Sequence, residues 1–189
     1  MPLHYAITDA LVALVAAWGA WHMHQSHKPA AALGLALFGI AGAIGTVRIV
    51  SGMVDELAMI HKAASQLGGI AGASLLMSEI VRTNGWPHRF ALSLVAATVA
   101  MLVAIAAPLA GAALFAILLV AGAVLLLRRA KQDRASLIGG LGFGLMLVNV
   151  LLVRQSPVLG PDWSWHLYHV IVAIWLWCAV TALKARAIR

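Results

Sequence analysis

Charge is what this chain has least of. Of 189 residues only 10% are charged, and Asp and Glu together number six, where a water-soluble domain carries about 25% charged residues. A soluble globule is excluded on that ground. The single cysteine, Cys178, lies inside an apolar run, so a disulfide framework or a thiolate zinc site within one chain is excluded too. There is no Gly-rich phosphate loop, no Gly-x-Ser-x-Gly elbow and no His-Glu-x-x-His, which leaves nucleotide binding and two familiar hydrolase designs without support. Nor do paired acidic residues recur in two halves, as they tend to in repeat-built transporters.

What is present is apolar length. Hydrophobic residues make up 63% of the chain, mean hydropathy is +0.96, and the apolar runs are each long enough to cross a hydrocarbon layer of about 30 Å as a helix. Runs bounded by charge, proline or turn residues fall at about 5–23, 30–48, 57–81, 89–106, 109–127, 136–153 and 163–183. The expected fold is therefore all-α: a polytopic transmembrane bundle of seven helices, with residues 1–189 as one integral membrane domain. Only Pro108 separates the fourth span from the fifth, and the count drops to six if those two run together.

Placing the amino terminus outside and the carboxy terminus in the cytoplasm puts Lys28, Arg82, Arg89, Arg128, Arg129, Lys131, Arg134, Lys184, Arg186 and Arg189 on the cytoplasmic side, against Arg48, Lys62 and Arg154. Ten against three is the bias expected of basic loops. The net charge of +7 is thus accounted for by orientation, with membrane lipids and not nucleic acid as partners, and a bacterial inner membrane is the expected location. No basic residue precedes the first span, and Trp18, Trp21 and His22 occupy the place of a cleavage site, so the first span is expected to remain in the mature protein. Close helix packing is expected at Gly68 and Gly72, at Gly140 and Gly144, and less regularly at Gly39, Gly42 and Gly45.

Ionisable groups inside spans are expensive and are functional candidates by default. Asp9, Arg48, His61, Asn149, His166 and His169 all fall near the outer ends of their spans, within about 10 Å of one another in depth at 1.5 Å per residue. The fourth and fifth spans contribute nothing comparable and read as a lipid-facing wall. In the third span His61, Ser65, Gly68 and Gly72 share one face, and in the seventh Asp162, His166 and His169 do. Two imidazoles at i and i+3 are near enough to bind one ion.

The leading chemical reading of this layer is a zinc ion on His61, His166 and His169, its fourth position left to water, in a hydrolase acting on a lipid amide or ester near the outer face. Asp9 or Asp55, with Glu56 beside it, would accept a proton or orient a ligand, and Arg48 or Asn149 would stabilise an oxyanion. The alternative is structural: the same histidines donate to backbone carbonyls or sit at the headgroup level beside Trp and Tyr. Haem is a third reading, on His61 with His169 and on His24 or His27 with His88.

The pattern of His61 with Ser65, of Asp9 or Asp55, and of Asp162-Trp-Ser-Trp-His166-Leu-Tyr-His169 resembles the alkaline ceramidase and adiponectin-receptor superfamily of seven-helix membrane hydrolases. That resemblance implies zinc on three histidines, assistance from an aspartate and a serine, and a lipid amide or ester as substrate. Two residues, Leu167 and Tyr168, separate the last histidines here, against three in the superfamily. The layout, including Thr8-Asp9 and Gly45-Thr-Val-Arg48, also resembles uncharacterised bacterial seven-helix proteins.

Overall fold

The helices end where proline, glycine or polar residues interrupt the apolar runs. A computed structural model describes residues 2–86, 89–154 and 156–185, and these form helices and no strand. α1 spans Tyr5–Gln25, α2 Pro29–Val50, α3 Ala58–Thr83, α4 Phe90–Ala106, α5 Pro108–Leu127, α6 Arg134–Val148 and α7 Gly160–Lys184. The all-α, seven-helix expectation holds. Pro108 has no N–H with which to continue α4, and it occupies the first turn of α5 instead. Ala107 alone joins the two helices, so the fourth and fifth apolar runs are separate helices.

Local chemistry explains the other boundaries. Pro29 opens α2, and the Asp133 carboxylate caps α6 by accepting from the N–H groups of Ala135 and Ser136 at 2.9 and 3.2 Å. Gly160, at φ +68°, turns the chain into α7 ahead of Pro161, so this helix starts about one turn earlier than expected. α6 does not stop at Val148 but widens through Asn149–Val153, where the N–H of Arg154 donates to the Asn149 carbonyl five residues back at 3.0 Å.

Five helices are long and apolar enough to cross a bilayer: α1, α2, α5, α6 with its widened extension, and α7. α4 is apolar but has 17 residues, and α3, with 26, is the least apolar of the seven. The molecule is an integral membrane protein.

Packing closes these helices into a ring. α1 lies between α2 and α7, α2 packs on α3, α3 on α5, α5 on α6 and α6 on α7, while α4 leans on α3 and α5. Only Ser93, Ala97 and Ala100 of α4 are buried, a single stripe at spacings of four and three. At the centre stands Trp175 of α7, fully buried, with Phe38 of α2, Phe115 of α5 and Phe143 of α6 edge-on to it at 5.2, 6.5 and 5.5 Å. Such edge-to-face pairs add about 0.5–1.5 kcal/mol each beyond their buried area. Between α2 and α3, a side chain on Gly72 would meet the Gly34 carbonyl at 2.8 Å, and one on Gly34 would meet that of Gly72 at 2.7 Å. Gly144, expected to act with Gly140, faces open space. At the opposite end of the bundle from Asp9, the buried Lys28 ammonium donates to the Leu183 carbonyl and ties the α1–α2 turn to the last turn of α7.

Candidate functional site

Alternation of helix direction brings the starts of α1, α3, α5 and α7 and the ends of α2, α4 and α6 to one face of the bundle, which includes the amino terminus. At this face a cavity of about 860 Å³ descends between α3, α5, the end of α6 and α7. Its inner end is apolar, with Phe38, Ile70, Ala112, Phe115 and Met146. Lys62, Ser65 and Gln66 of α3 and Arg154 beyond α6 line it nearer the face and are exposed. His61, Trp165, Tyr168 and His169 complete the wall. Val150 in the wide turn at Asn149–Val153 and Arg154 just after it, four residues apart, both line the cavity.

The expectation that the fourth and fifth helices are only a lipid-facing wall is corrected here. Ala104, Pro108, Gly111, Ala112 and Phe115 line the cavity. They carry no ionisable group, so a search for polar residues passes over them, yet they supply the apolar half of the chamber.

Beside the cavity lies the most demanding polar group of the molecule. Asp9 is 1% exposed, and its Oδ1 is 2.9 Å from Nε2 of His169. The approach is off the line of the ring N–H bond, and neither carboxylate oxygen has a well-directed donor. The other nitrogen of His169, Nδ1, faces the Trp165 carbonyl at 2.8 Å. A carbonyl only accepts, so Nδ1 carries a proton and Nε2 is the nitrogen turned to Asp9. Gly45 makes this arrangement compatible with close α1–α2 packing, because a Cβ there would run into the Asp9 carboxylate and come within 2.9 Å of His61 Nε2. Asp9 and His61 thus border the same glycine.

His61 is held from both sides. The Arg48 guanidinium lies 3.1 Å from Nδ1, and Ser65 Oγ lies 3.4 Å from Nε2. Arginine only donates, so Nδ1 accepts and, in a neutral ring, the proton is on Nε2. That tautomer donates toward Ser65 and does not activate it as a nucleophile. Arg48 also donates from Nε to the Val54 carbonyl at 2.8 Å, which pins the α2–α3 turn over the ring.

His166 goes elsewhere. Its Nδ1 lies 3.3 Å from Thr8 Oγ1, whose own proton is directed to the Tyr5 carbonyl at 3.2 Å, so His166 donates. Its ring stands 5.0 Å from that of His4 and 5.4 Å from that of Tyr5, and it is not part of the cavity wall. The Tyr5 hydroxyl in turn donates to Asp162. Asn149 is fully buried and its Nδ2 donates to the Tyr168 carbonyl at 2.9 Å, a tie between α6 and α7 outside the cavity. Asp55 and Glu56 are exposed in the α2–α3 turn. Among the described residues no group of three His, Cys, Asp or Glu side chains is arranged to hold a metal ion. His24 and His27 are exposed at the far end of α1, and His88, their haem partner in the sequence reading, lies outside the described residues, as do Arg186 and Arg189.

Sequence reasoning missed Lys62, Arg154 and Tyr168. Arg154 sits over the Tyr168 ring, 5.5 Å from its centroid. In the sequence both cations enter only the count of basic residues, and their one distinguishing signal is that they fall on the face with few of them. No family model matches the chain, and no curated protein or solved structure matches it.

Proposed function

We propose that this protein takes a single lipid-like amphiphile into the cavity at its amino-terminal face, tail toward Phe38 and Phe115, head beside His61, Lys62 and Arg154. The division of the cavity wall carries this reading: apolar at the inner end, polar and cationic toward the face. A volume of about 860 Å³ is within the range of roughly 300–1,000 Å³ usual for small-ligand sites. The ten-to-three distribution of basic residues assigns this face to the non-cytoplasmic side, and the helical spans together with the resemblance to bacterial seven-helix proteins favour a bacterial inner membrane.

The test is lipid retention. Native mass spectrometry of protein in mild detergent is expected to find one co-purifying amphiphile, displaced in Ala112→Trp and Phe115→Trp variants that fill the inner end. Wild-type protein that carries none, and takes up none when offered a series of single-chain lipids, would sink the reading.

A second reading is favoured by Asp9. A buried carboxylate short of directed donors, with Nε2 of His169 beside it and Nε2 of His61 across Gly45, has the donor chemistry of a metal site. Asp9 and His169 fit that test, since a proton on His169 Nδ1 bonded to a carbonyl is the usual support of an Nε2 ligand. His61 fits only after Nδ1 gives up Arg48, and His166 would have to leave Thr8. Zinc there would lower the pKa of water and polarise a lipid amide or ester carbonyl. Asp9 would hold the ion, His169 would be oriented by the Trp165 carbonyl, and Ser65 would bond the lipid head. Elemental analysis checks this: stoichiometric zinc, lost in Asp9→Asn and His169→Ala, together with hydrolysis of a fluorescent lipid amide, is the expected result. Metal-free protein prepared without chelator and inactive after zinc addition would reject it.

A further inference from the structure

The cavity wall contains no Asp or Glu among the described residues, yet it contains two fixed cations, Lys62 and Arg154. Neither has a carboxylate partner among the described residues; Arg154 is engaged only by the face of Tyr168. Two other arginines are held by side-chain or carbonyl partners: Arg82 pairs with Glu79, and Arg48 bonds His61 and the Val54 carbonyl. Lys62 and Arg154 come from different elements, the first turns of α3 and the segment after α6, and both line the same chamber. Two uncompensated positive charges beside an apolar cavity attract an anion, and the low dielectric below them strengthens that attraction.

We infer that the amphiphile bound here is a single-chain lipid with a phosphomonoester head, its phosphate set between Lys62 and Arg154 and its chain on Phe38, Ala112 and Phe115. This rests on the amphiphile-binding reading above and narrows it by charge. A phosphomonoester carries about −1.5 to −2 at neutral pH, which matches two cations, whereas a carboxylate neutralises one and a zwitterionic or neutral head neutralises none. Ser65 and Gln66, three and four residues after Lys62 and so on the same helical face, add hydroxyl and amide donors for the remaining phosphate oxygens. The volume suits one chain, and the Phe38 and Phe115 side chains that close the inner end pack edge-on against Trp175, which sets an upper limit to chain length.

Binding of four oleoyl amphiphiles to the purified full-length protein in neutral detergent, followed by calorimetry, tests this: lysophosphatidate, oleate, lysophosphatidylcholine and the uncharged monoacylglycerol. Lysophosphatidate is expected to bind at least about tenfold more tightly than the monoacylglycerol, as one or two charge-assisted contacts require, and to lose most of that advantage at high salt. In Lys62→Gln and Arg154→Gln the advantage is expected to shrink while monoacylglycerol binding is kept, which also shows that the variants are folded. Inorganic phosphate alone is expected to bind far more weakly than lysophosphatidate, since it lacks the chain. Equal affinity for lysophosphatidate and monoacylglycerol overturns the head assignment and leaves the amphiphile reading standing. Oleate binding as tightly as lysophosphatidate overturns the phosphate in favour of a carboxylate, and an undiminished advantage in both variants removes the two cations from the site. If none of the four binds, both readings fall.

Discussion

A carboxyl group that is 1% exposed depends on what surrounds it, and Asp9 has His169 as its close partner. Removing one member of a buried polar pair costs about 1–3 kcal/mol, because the other is left unsatisfied. Asp9→Asn and His169→Gln are each expected to lower unfolding stability in detergent, and the double variant to cost clearly less than the two singles together. Simple additivity in thermal or SDS unfolding would show that the two side chains do not interact. Gly45→Ala is expected to cost about 1–3 kcal/mol by overpacking, since its methyl would intrude on the Asp9 carboxylate and on His61. At this scale the chain was half legible. Depth along each span, counted from its ends, placed Asp9, Arg48, His61, Asn149, His166 and His169 in one layer, and of these Asp9, His61 and His169 lie side by side. What it could not resolve was azimuth: His166 and His169 are about 60° apart around a helix of 3.6 residues per turn, and that is enough to send one to Thr8 and the other to Asp9.

Elements show the same division between what lies along the chain and what lies across it. Pro108 announces the α4–α5 boundary because a missing N–H is a property of one residue, and the boundary falls there. Glycine spacing is a weaker guide, since it states that a close approach is allowed, not that a neighbour makes one. Gly72 meets α2 backbone and Phe38, whereas Gly144 meets nothing. Gly72→Ala is therefore expected to destabilise the α2–α3 crossing by about 1–3 kcal/mol. Gly144→Ala is expected to be neutral or to stabilise by up to about 1 kcal/mol, as alanine does in a helix interior. Equal effects of the two in SDS-denaturation midpoints would refute this assignment of the packing faces. The widened turn at Asn149–Val153 had no sequence signal beyond a polar residue in an apolar run.

For the molecule as a whole, the ring of helices closes on Trp175, and Trp175→Ala is expected to cost about 3–5 kcal/mol and to open the floor of the cavity beneath Phe38 and Phe115. A loss under 1 kcal/mol in the unfolding midpoint would mean that the aromatic cluster is not the keystone of the bundle. Composition and the order of apolar runs by themselves determined that this is an all-α integral membrane protein, roughly where its helices fall, and which end gathers the polar groups, because transfer into lipid and backbone hydrogen bonding are settled segment by segment along the chain. Only the tertiary structure decided that α5 walls a chamber, that His166 stands apart from His61 and His169, and that Lys62 and Arg154 share one mouth. Those facts depend on how helices rotate and pack against one another, and lipid-like apolar surfaces leave that choice to shape and to a few polar contacts.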